Sequence, residues 1–419
     1  MSGRRLVLIG AALAAAGAAG AAACVDNPTA PGHCPDYCPS GQIVIVDTVL
    51  VQNVARDTAF RGYVTSLQSP LMLVADLPGF VDSRSIFRIN GVGSRRSIST
   101  TDTSTGPILG ADSARLQIVV ARRDTGAHNL TLHLYRLPKT IDTTTTFADL
   151  AGPFTDSLVR TLNIDTLLAR IGRKDTITGD SVVVDTVNHT LTLSLKLDTA
   201  AARYIPDDSG TVAYGVRVSA DARASIALTG AGLTLHWWVR VDSLNVPVPR
   251  TLPVLGAAFW NFVFDPPAPP LDSTLEVGGV PSARSFLRVA FPRYIRDSSQ
   301  VIRGTLVLLP AAPVGGAPVD SFVMEASSVL ADFGAKSPLD LRLRDTTVIH
   351  TGVTDTVTVE VTNLLQLWAA DSTHPTTIVL RPRNEAQSLA TARFYPSVAA
   401  AFRPFLRITY VRRFPFGQP

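Results

Sequence analysis

Two of the three cysteines lie close enough together to do chemistry, in the segment His33-Cys34-Pro35-Asp36-Tyr37-Cys38. Thiolates, an imidazole and a carboxylate are all zinc ligands, so one interpretation is a metal site built from His33, Cys34, Cys38 and Asp36. This spacing is not a recognised zinc pattern, however, and no second Cys/His cluster completes the set. We therefore favour a local disulfide between Cys34 and Cys38, and we expect no metal and no cofactor.

Other residues with catalytic potential occur in patterns that indicate turns. Asp124-Thr125-Gly126 and Asp208-Ser209-Gly210 have the Asp-Thr/Ser-Gly sequence with which aspartic proteases pair two carboxylates. In those enzymes the motif follows an apolar strand, whereas here Arg122-Arg123 and Pro206-Asp207 precede it. The seven histidines are scattered, without a His-Glu-x-x-His motif or a nucleophile elbow. The sequence therefore predicts that the protein is not an enzyme.

The third cysteine, Cys24, follows a segment with the features of an export signal. Arg4 and Arg5 precede an uncharged run from Leu6 to Ala23, and the last residues of this run are small. A short basic region, an apolar core and a small-residue cleavage site are typical of a signal peptide, which is removed from the mature protein. A cysteine directly after the cleavage site is the residue that the bacterial lipoprotein pathway acylates.

The segment resembles a lipoprotein signal with one departure, because Ala21 stands where the lipobox usually has Leu. Two alternatives stay open: ordinary cleavage after Ala23 that leaves Cys24 free, and an uncleaved membrane anchor. The run from Leu6 to Ala23 consists mostly of Ala and Gly and is barely long enough to span a hydrocarbon core of ~30 Å. Cleavage and a lipid anchor on Cys24 are therefore expected.

Lipidation also agrees with the remaining cysteines and sets the expected location. If Cys24 carries lipid, Cys34 and Cys38 remain as an even pair in an oxidising compartment. Val25 rather than Asp follows the lipidated position, which by resemblance to other diderm lipoproteins implies sorting to the outer membrane. We expect a cell-envelope protein on the periplasmic or the surface face of that membrane.

Composition and charge argue against nucleic acid as a partner. Removal of Arg4 and Arg5 with the signal lowers the formal net charge from +4 to about +2, which provides no basic surface for a nucleic acid. Apolar residues make up 46% of the chain and charged residues 17%, as in ordinary globular proteins. The roughly 400 residues that remain after cleavage exceed what one hydrophobic core supports, so two domains are expected.

From Gln42 onward the chain consists of short β-branched and aliphatic runs separated by Asp, Thr, Gly and Pro. Arg115 to Ala121 is one example, and turn residues such as Asp124-Thr125-Gly126 bound these runs. Helical periodicity is confined to short segments, of which Ser157 to Ile171 and Leu364 to Ala370 are candidates. The predicted class is all-β, with two tandem antiparallel β-sandwich domains of jelly-roll type and short helical connections.

A repeat supports the two-domain prediction. Arg84-Ser85-Ile86-Phe87-Arg88-Ile89 matches Arg284-Ser285-Phe286-Leu287-Arg288-Val289, and the two copies end alike in Leu233 to Val241 and Phe405 to Val411. The proline-rich stretch from Val246 to Pro270 lies between them. The predicted order is a signal peptide (1–23), a lipidated proline-rich tether (24–41), a first sandwich (42–245), a linker (246–270) and a second sandwich (271–413).

The second copy combines an early strand, Arg284 to Val289, with Val359 to Trp368 before a short helix and an ending at Arg403 to Tyr410. In this order and spacing it resembles the DNRLRE family of bacterial surface and secreted proteins, over about Asp265 to Arg412. The resemblance implies a jelly-roll β-sandwich similar to a carbohydrate-binding module. Some members of that family bind acidic polysaccharides, so the resemblance makes an acidic polysaccharide or an envelope protein a candidate partner, and it does not imply catalysis.

The repeated strand carries the candidate binding groups. In a strand, Arg84 and Arg88 share one face, and Arg284 and Arg288 repeat this arrangement. A guanidinium fork is a natural partner for a uronic-acid carboxylate, although these arginines could instead face solvent or pair with nearby Asp. Sugars also stack on aromatic rings, but tryptophan is equally common in sandwich cores. The candidate ligand-binding residues are Arg84, Arg88, Arg284, Arg288 and Trp238.

Two functional hypotheses follow. The first is a non-catalytic cell-envelope lipoprotein that binds polysaccharide or another envelope component through its sandwiches. The alternative is a purely structural or adhesive surface lipoprotein that contacts protein partners. A cleft lined by Arg88, Arg288 and an aromatic ring would favour the first, and a flat polar surface with one apolar patch would favour the second.

Overall fold

The computed structural model describes residues 44–99, 103–175, 178–202, 204–205, 209–265, 274–317 and 320–412. About 52% of the described residues are in strands and about 11% in helices, and the strands form large antiparallel sheets. The all-β class is therefore confirmed. Cys24, the predicted disulfide Cys34–Cys38 and the tether lie outside the described residues.

The first half of the described chain forms β1 (Ile45–Leu50), β2 (Val54–Arg61), β3 (Leu71–Leu77), β4 (Val81–Ile89), β5 (Arg95–Ser97), β6 (Thr105–Arg123), β7 (Thr131–Leu137), β8 (Leu158–Asn163), β9 (Ser181–Asp185), β10 (Thr190–Leu197), β11 (Val212–Ser219), β12 (Ala224–Thr229) and β13 (Thr234–Ser243). The second half forms β14 (Val246–Thr251), β15 (Leu255–Gly256), β16 (Phe259–Asp265), β17 (Leu275–Gly278), β18 (Ala283–Val289), β19 (Ser299–Leu308), β20 (Ser321–Val329), β21 (Leu339–His350), β22 (Val357–Glu360), β23 (Thr377–Pro382), β24 (Thr391–Phe394) and β25 (Phe405–Arg412). The helices are α1 (Pro153–Asp156), α2 (Ile164–Leu168), α3 (Thr199–Ala202), α4 (Arg293–Ser298) and α5 (Thr362–Ala370), with 3₁₀ turns at Ser66–Gln68, Ala148–Leu150, Gly230–Gly232 and Gly334–Lys336.

The first sandwich is built on a 14-stranded sheet with the main order β14-β13-β6-β12-β3-β4-β11-β7-β8. Buried and more exposed residues alternate along much of the long strand β6, as expected for a strand with one face in a core. Trp237, Phe87 and Tyr214 are fully buried members of that core. Trp238, the next residue along β13, is on the opposite side of the strand and only partly buried.

The second sandwich consists of two facing sheets. The four-stranded sheet has the order β1-β25-β19-β22, and the seven-stranded sheet has the order β21-β20-β23-β18-β17-β24, with β2 paired to β18. Apolar residues from both sheets, among them Leu287, Leu306 and Ile408, form one core together with Trp368 of α5. Leu287 is fully buried, whereas its neighbour Arg288 lies on the outer side of β18, as the alternation of the repeated strand predicts.

The two sandwiches exchange strands, which corrects the predicted domain boundaries. The chain's first two strands, β1 and β2, are not part of the first sandwich: β1 pairs with β25, and β2 pairs with β18. In return, β14 pairs with β13, and β16 pairs with β4. The strands that precede the first repeat, β1 and β2, therefore complete the second sandwich. The strands that precede the second repeat, β14 and β16, complete the first sandwich.

The predicted linker, Val246 to Pro270, is consequently wrong for the part that the structure describes, because residues 246–265 contain three strands of the first sandwich. Pro247 and Pro249 are accommodated because β14 pairs with β13 at the end of the sheet order, where a residue without an N–H is tolerated. The first sandwich is formed by residues 71–265, and the second by residues 45–61 together with 275–412.

An apolar cluster connects the two sandwiches. Ala75, Leu77 and Val81 of the first sandwich pack with Ala317 of the second, and Phe80, Phe264 and Leu389 extend the cluster. Two hydrogen bonds cross the same boundary, from Ser69 Oγ to the Ala386 carbonyl at 2.8 Å and from Arg122 Nη2 to the Gln387 carbonyl at 2.7 Å. The loop that contains Leu389 thus holds the two halves together.

Candidate functional site

The first arginine of each repeated strand is already bound by the protein. Arg84 forms two hydrogen bonds to Asp82, at 3.2 and 2.7 Å, and its guanidinium lies 4.3 Å from the Phe147 ring centre. Arg284 forms two 2.7 Å hydrogen bonds to Glu385 and lies 3.9 Å from the ring centre of Tyr63. Both side chains are largely buried, so neither guanidinium fork is free to bind a ligand carboxylate.

The second arginine of each strand is also held. Arg88 donates to the Ile141 carbonyl at 3.1 Å, and Arg288 donates to both carboxylate oxygens of Asp332, at 2.5 and 2.7 Å. The hydrogen bonds from Arg288 are the main reason that the pKa of Asp332 falls to about 2. Arg84 and Arg288 thus pair with nearby Asp, which is one of the alternatives given by the sequence. Arg284 instead pairs with Glu385, and Arg88 with a backbone carbonyl.

The structure does not bring the five candidate residues into one site. Arg84 and Arg88 belong to the 14-stranded sheet, whereas Arg284 and Arg288 belong to the seven-stranded sheet. Trp238 lies on β13, where its ring is 4.5 Å from the ring of His236. A cleft lined jointly by Arg88, Arg288 and an aromatic ring is not formed by the described residues.

One pair of residues has the geometry of a nucleophile and a base. Ser328 Oγ lies 2.7 Å from Nε2 of His374. Ser328 is fully buried, however, so a substrate carbonyl could not reach its hydroxyl. Nearby Asp340 forms hydrogen bonds to Arg342, which lower its pKa to about 2. We interpret the Ser328–His374 contact as structural.

Within the described ranges, no group of three or more His, Cys, Asp or Glu side chains could hold a metal ion.

A cleft of about 430 Å³ lies between the two sandwiches. Its size lies in the range of small-ligand sites. Phe80, from the β3–β4 turn, and Phe264, from β16, contribute aromatic rings from the first sandwich. The second sandwich contributes an apolar wall formed by Val280, Pro281 and Leu389. A shallower space of about 530 Å³ adjoins this cleft and shares Gly79, Phe80, Pro313 and Gly315 with it.

The position of Phe80 depends on a glycine of the opposite sandwich. A Cβ atom built at Gly315 would lie 2.5 Å from the Phe80 ring, which no real contact allows. The Phe80 ring therefore packs directly against the backbone of Gly315, and any larger residue at position 315 would occupy the space of the ring. The ring is nevertheless only partly buried, so one part of it faces the cleft.

Charged groups line one side of the cleft. Arg61, at the end of β2, donates from Nε to Glu276 Oε2 at 2.7 Å, and the side chain of Glu276 is almost buried. Arg393 of β24 lies opposite Glu276 in the strand register and is partly exposed. Arg223 lines the adjoining shallow space. The site thus has more guanidinium groups than carboxylates, which favours an anionic ligand.

Sequence reasoning missed this cleft because its residues are far apart along the chain. Arg61 and Phe264 belong to the exchanged strands, and Arg393 follows more than 100 residues later. The available signal was Pro78-Gly79-Phe80, an aromatic residue in a turn between two apolar strands. Nothing in the sequence indicated that this turn would face the second sandwich.

Comparison with known proteins gives no family for the chain. No family model matches it, and no curated protein matches it. One solved structure with some similarity is the N-terminal CBM22-1-CBM22-2 tandem domain from Paenibacillus barcinonensis Xyn10C, with 10% identity over 90% of this chain and 99% of that one. Its TM-score is 0.15, so we draw no conclusion about fold or function from this similarity.

None of the helices formed by the described residues is long and apolar enough to cross a membrane.

Proposed function

We propose that the protein is a non-catalytic lipoprotein of the cell envelope that binds an acidic polysaccharide in the cleft between its sandwiches. The observation that carries the binding proposal is the combination of Phe80 and Phe264 with Arg393 in one cleft of about 430 Å³. Aromatic rings offer flat apolar surfaces on which a sugar ring can stack, and a guanidinium can form two hydrogen bonds to a carboxylate.

Each group has a distinct role in this proposal. Phe80 and Phe264 contact the apolar face of a sugar, and Arg393 binds a carboxylate on the same or the next sugar. Arg61 pairs with Glu276 and compensates its negative charge, which reduces the repulsion between this carboxylate and an anionic chain. The adjoining space with Arg223 would accept a further sugar unit, as a chain-shaped ligand requires.

Replacing Arg393 with Ala is expected to weaken binding of an acidic polysaccharide about tenfold, since the variant loses a charge-assisted hydrogen bond of about 1.4 kcal/mol. Phe80→Ala should weaken it by a similar factor through the loss of stacking. The measurement is a glycan-array screen of residues 25–419, followed by calorimetric titration of the best ligand.

Arg342→Ala and Phe333→Ala are matched controls, because both side chains are strongly exposed and neither lines the cleft. They should bind like the parent protein. Unfolding temperatures of all variants exclude loss of binding through loss of fold. Unchanged affinity in Arg393→Ala and Phe80→Ala, or binding of protein partners but of no glycan, would contradict the cleft proposal.

The lipoprotein part of the proposal is tested separately. We expect mass spectrometry of the mature protein to find acyl chains on an N-terminal Cys24, and Cys24→Ala to abolish both this modification and palmitate labelling in cells. The expected location is the outer-membrane fraction. A mature protein that begins at Cys24 without acyl chains, or one that retains residues 1–23, would contradict the assignment.

A further inference from the structure

The chain enters and leaves the described structure at the same end of the second sandwich. β1 begins at Ile45, which lies opposite Val411 in the register of β25. β25 ends at Arg412, which lies opposite Ser299, the first residue of β19. The segment that contains Cys24 therefore joins the fold beside the point where β25 ends. We call this region the tether end and define it by Val44, Ile45, Arg293, Tyr294, Ile302 and Arg412.

Large apolar side chains are exposed at the tether end. Val44 and Ile45 are each 63% exposed, Tyr294 is 53% exposed and Ile302 is 47% exposed. Tyr294 belongs to α4, which leads directly into β19 at this end, and its ring lies 6.3 Å from that of Tyr410. A single exposed apolar residue is ordinary, but several at one end of a domain mark a contact surface.

The charges at this end favour an anionic partner. Arg293 and Arg412 are exposed. The acidic groups nearby are already engaged, since Asp297 accepts from Arg296 at 2.7 Å and Asp47 accepts from the Thr409 hydroxyl. Basic and aromatic residues together are typical of segments that bind membrane interfaces.

We propose that the tether end is a membrane-contact surface that binds anionic lipid headgroups. Its exposed apolar side chains enter the headgroup region, and its arginines bind lipid phosphates. The proposal rests on the proposed lipid anchor, because residues 25–43 join Cys24 directly to this end. An extended tether of that length would let the fold stand about 60 Å from the lipid. Direct contact adds a second attachment and fixes the orientation of the second sandwich.

The test uses protein without the anchor, so that it is independent of lipidation. Residues 25–419, which contain every described strand, are mixed with vesicles of 30% phosphatidylglycerol in phosphatidylcholine and sedimented. We expect binding at least about tenfold stronger than to pure phosphatidylcholine, and weaker binding at high salt. The triple variant Ile45→Asp, Tyr294→Asp, Arg412→Glu should lose about tenfold in affinity for the anionic vesicles.

The matched control is Val187→Asp, Leu244→Asp and Arg173→Glu, which changes the net charge by the same amount as the triple variant. All three side chains are exposed, Val187 by 84% and Leu244 by 93%, and all belong to the first sandwich rather than to the tether end. This control should bind vesicles like the parent protein. Absence of parent binding, or equal loss in both variants, would overturn the proposal. A concentration-dependent dimer that the triple variant abolishes would assign this end to a second copy of the chain instead. Acylation of Cys24 is measured separately, so a missing anchor and a missing contact surface give different results.

Discussion

A chain without residues 44–62 is expected to lose the cooperative fold of its second sandwich while it keeps the first. β2 runs along all 7 residues of β18, and β1 covers 6 residues of β25. Their removal exposes edges of both sheets and takes Leu50 and Val54 from the core. Loss of two buried apolar side chains alone costs several kcal/mol, a large part of a domain's stability. Hydrogen exchange of the deletion variant should show unprotected amides in β17 to β25.

Two further chains make this prediction specific to the exchanged strands. Deleting only residues 25–43 should leave both sandwiches intact, because that segment contributes no described strand. Joining residues 44–62 through a flexible linker to residues 274–412 should restore a folded second sandwich without the first. A folded, wild-type-like isolated segment 274–412 would show that β1 and β2 are dispensable. The pairing of β1 with β25 and of β2 with β18 therefore predicts that the residues after Asp265 do not fold alone.

Local sequence patterns predicted those features of the fold that depend on neighbouring residues. The alternation in Arg284 to Val289 placed Leu287 inside and Arg288 outside, and the apolar run Leu364 to Ala370 is indeed helical within α5. The candidate helix Ser157 to Ile171 was wrong over its first half, which forms β8 before α2 begins. Strand pairing with β7 outweighs a weak helical period there, since burial in a sheet decides the conformation of such short segments.

The strand exchange and the cleft could not be predicted in the same way. Consecutive strands usually lie next to each other, so β1 and β2 were assigned to the sandwich that follows them. Their actual partners, β25 and β18, lie more than 200 residues away, and the pattern of apolar residues in a strand does not specify its neighbour. The cleft could not be predicted for the same reason, because two of its lining residues, Arg61 and Phe264, belong to exchanged strands.

Glu325→Gln is expected to destabilise the second sandwich by about 3–5 kcal/mol, as is usual when one partner of a buried ion pair is removed. The Glu325 side chain is fully buried, and it accepts from Arg381 Nη2 at 2.7 Å and from Arg383 Nε at 2.8 Å. Arg344 lies 3.7 Å from the same carboxylate. Removal of this charge leaves Arg381, which is only 12% exposed, beside two other cations and with Glu385, at 3.7 Å, as its remaining carboxylate partner. Urea unfolding at neutral pH measures the change.

The reason for this loss can be separated from general damage to the core. Glu360→Gln removes a carboxylate that is 41% exposed and pairs with Arg303, so it should change stability by no more than about 1 kcal/mol. If an uncompensated charge causes the loss in Glu325→Gln, then Glu325→Leu combined with Arg381→Met should recover much of it, because apolar side chains replace buried ion pairs at little net loss. A double variant as unstable as Glu325→Gln would instead attribute the effect to packing. Equal stability of Glu325→Gln and the parent would show that Arg381 and Arg383 find other partners, and that the buried carboxylate does not organise this face of the sheet.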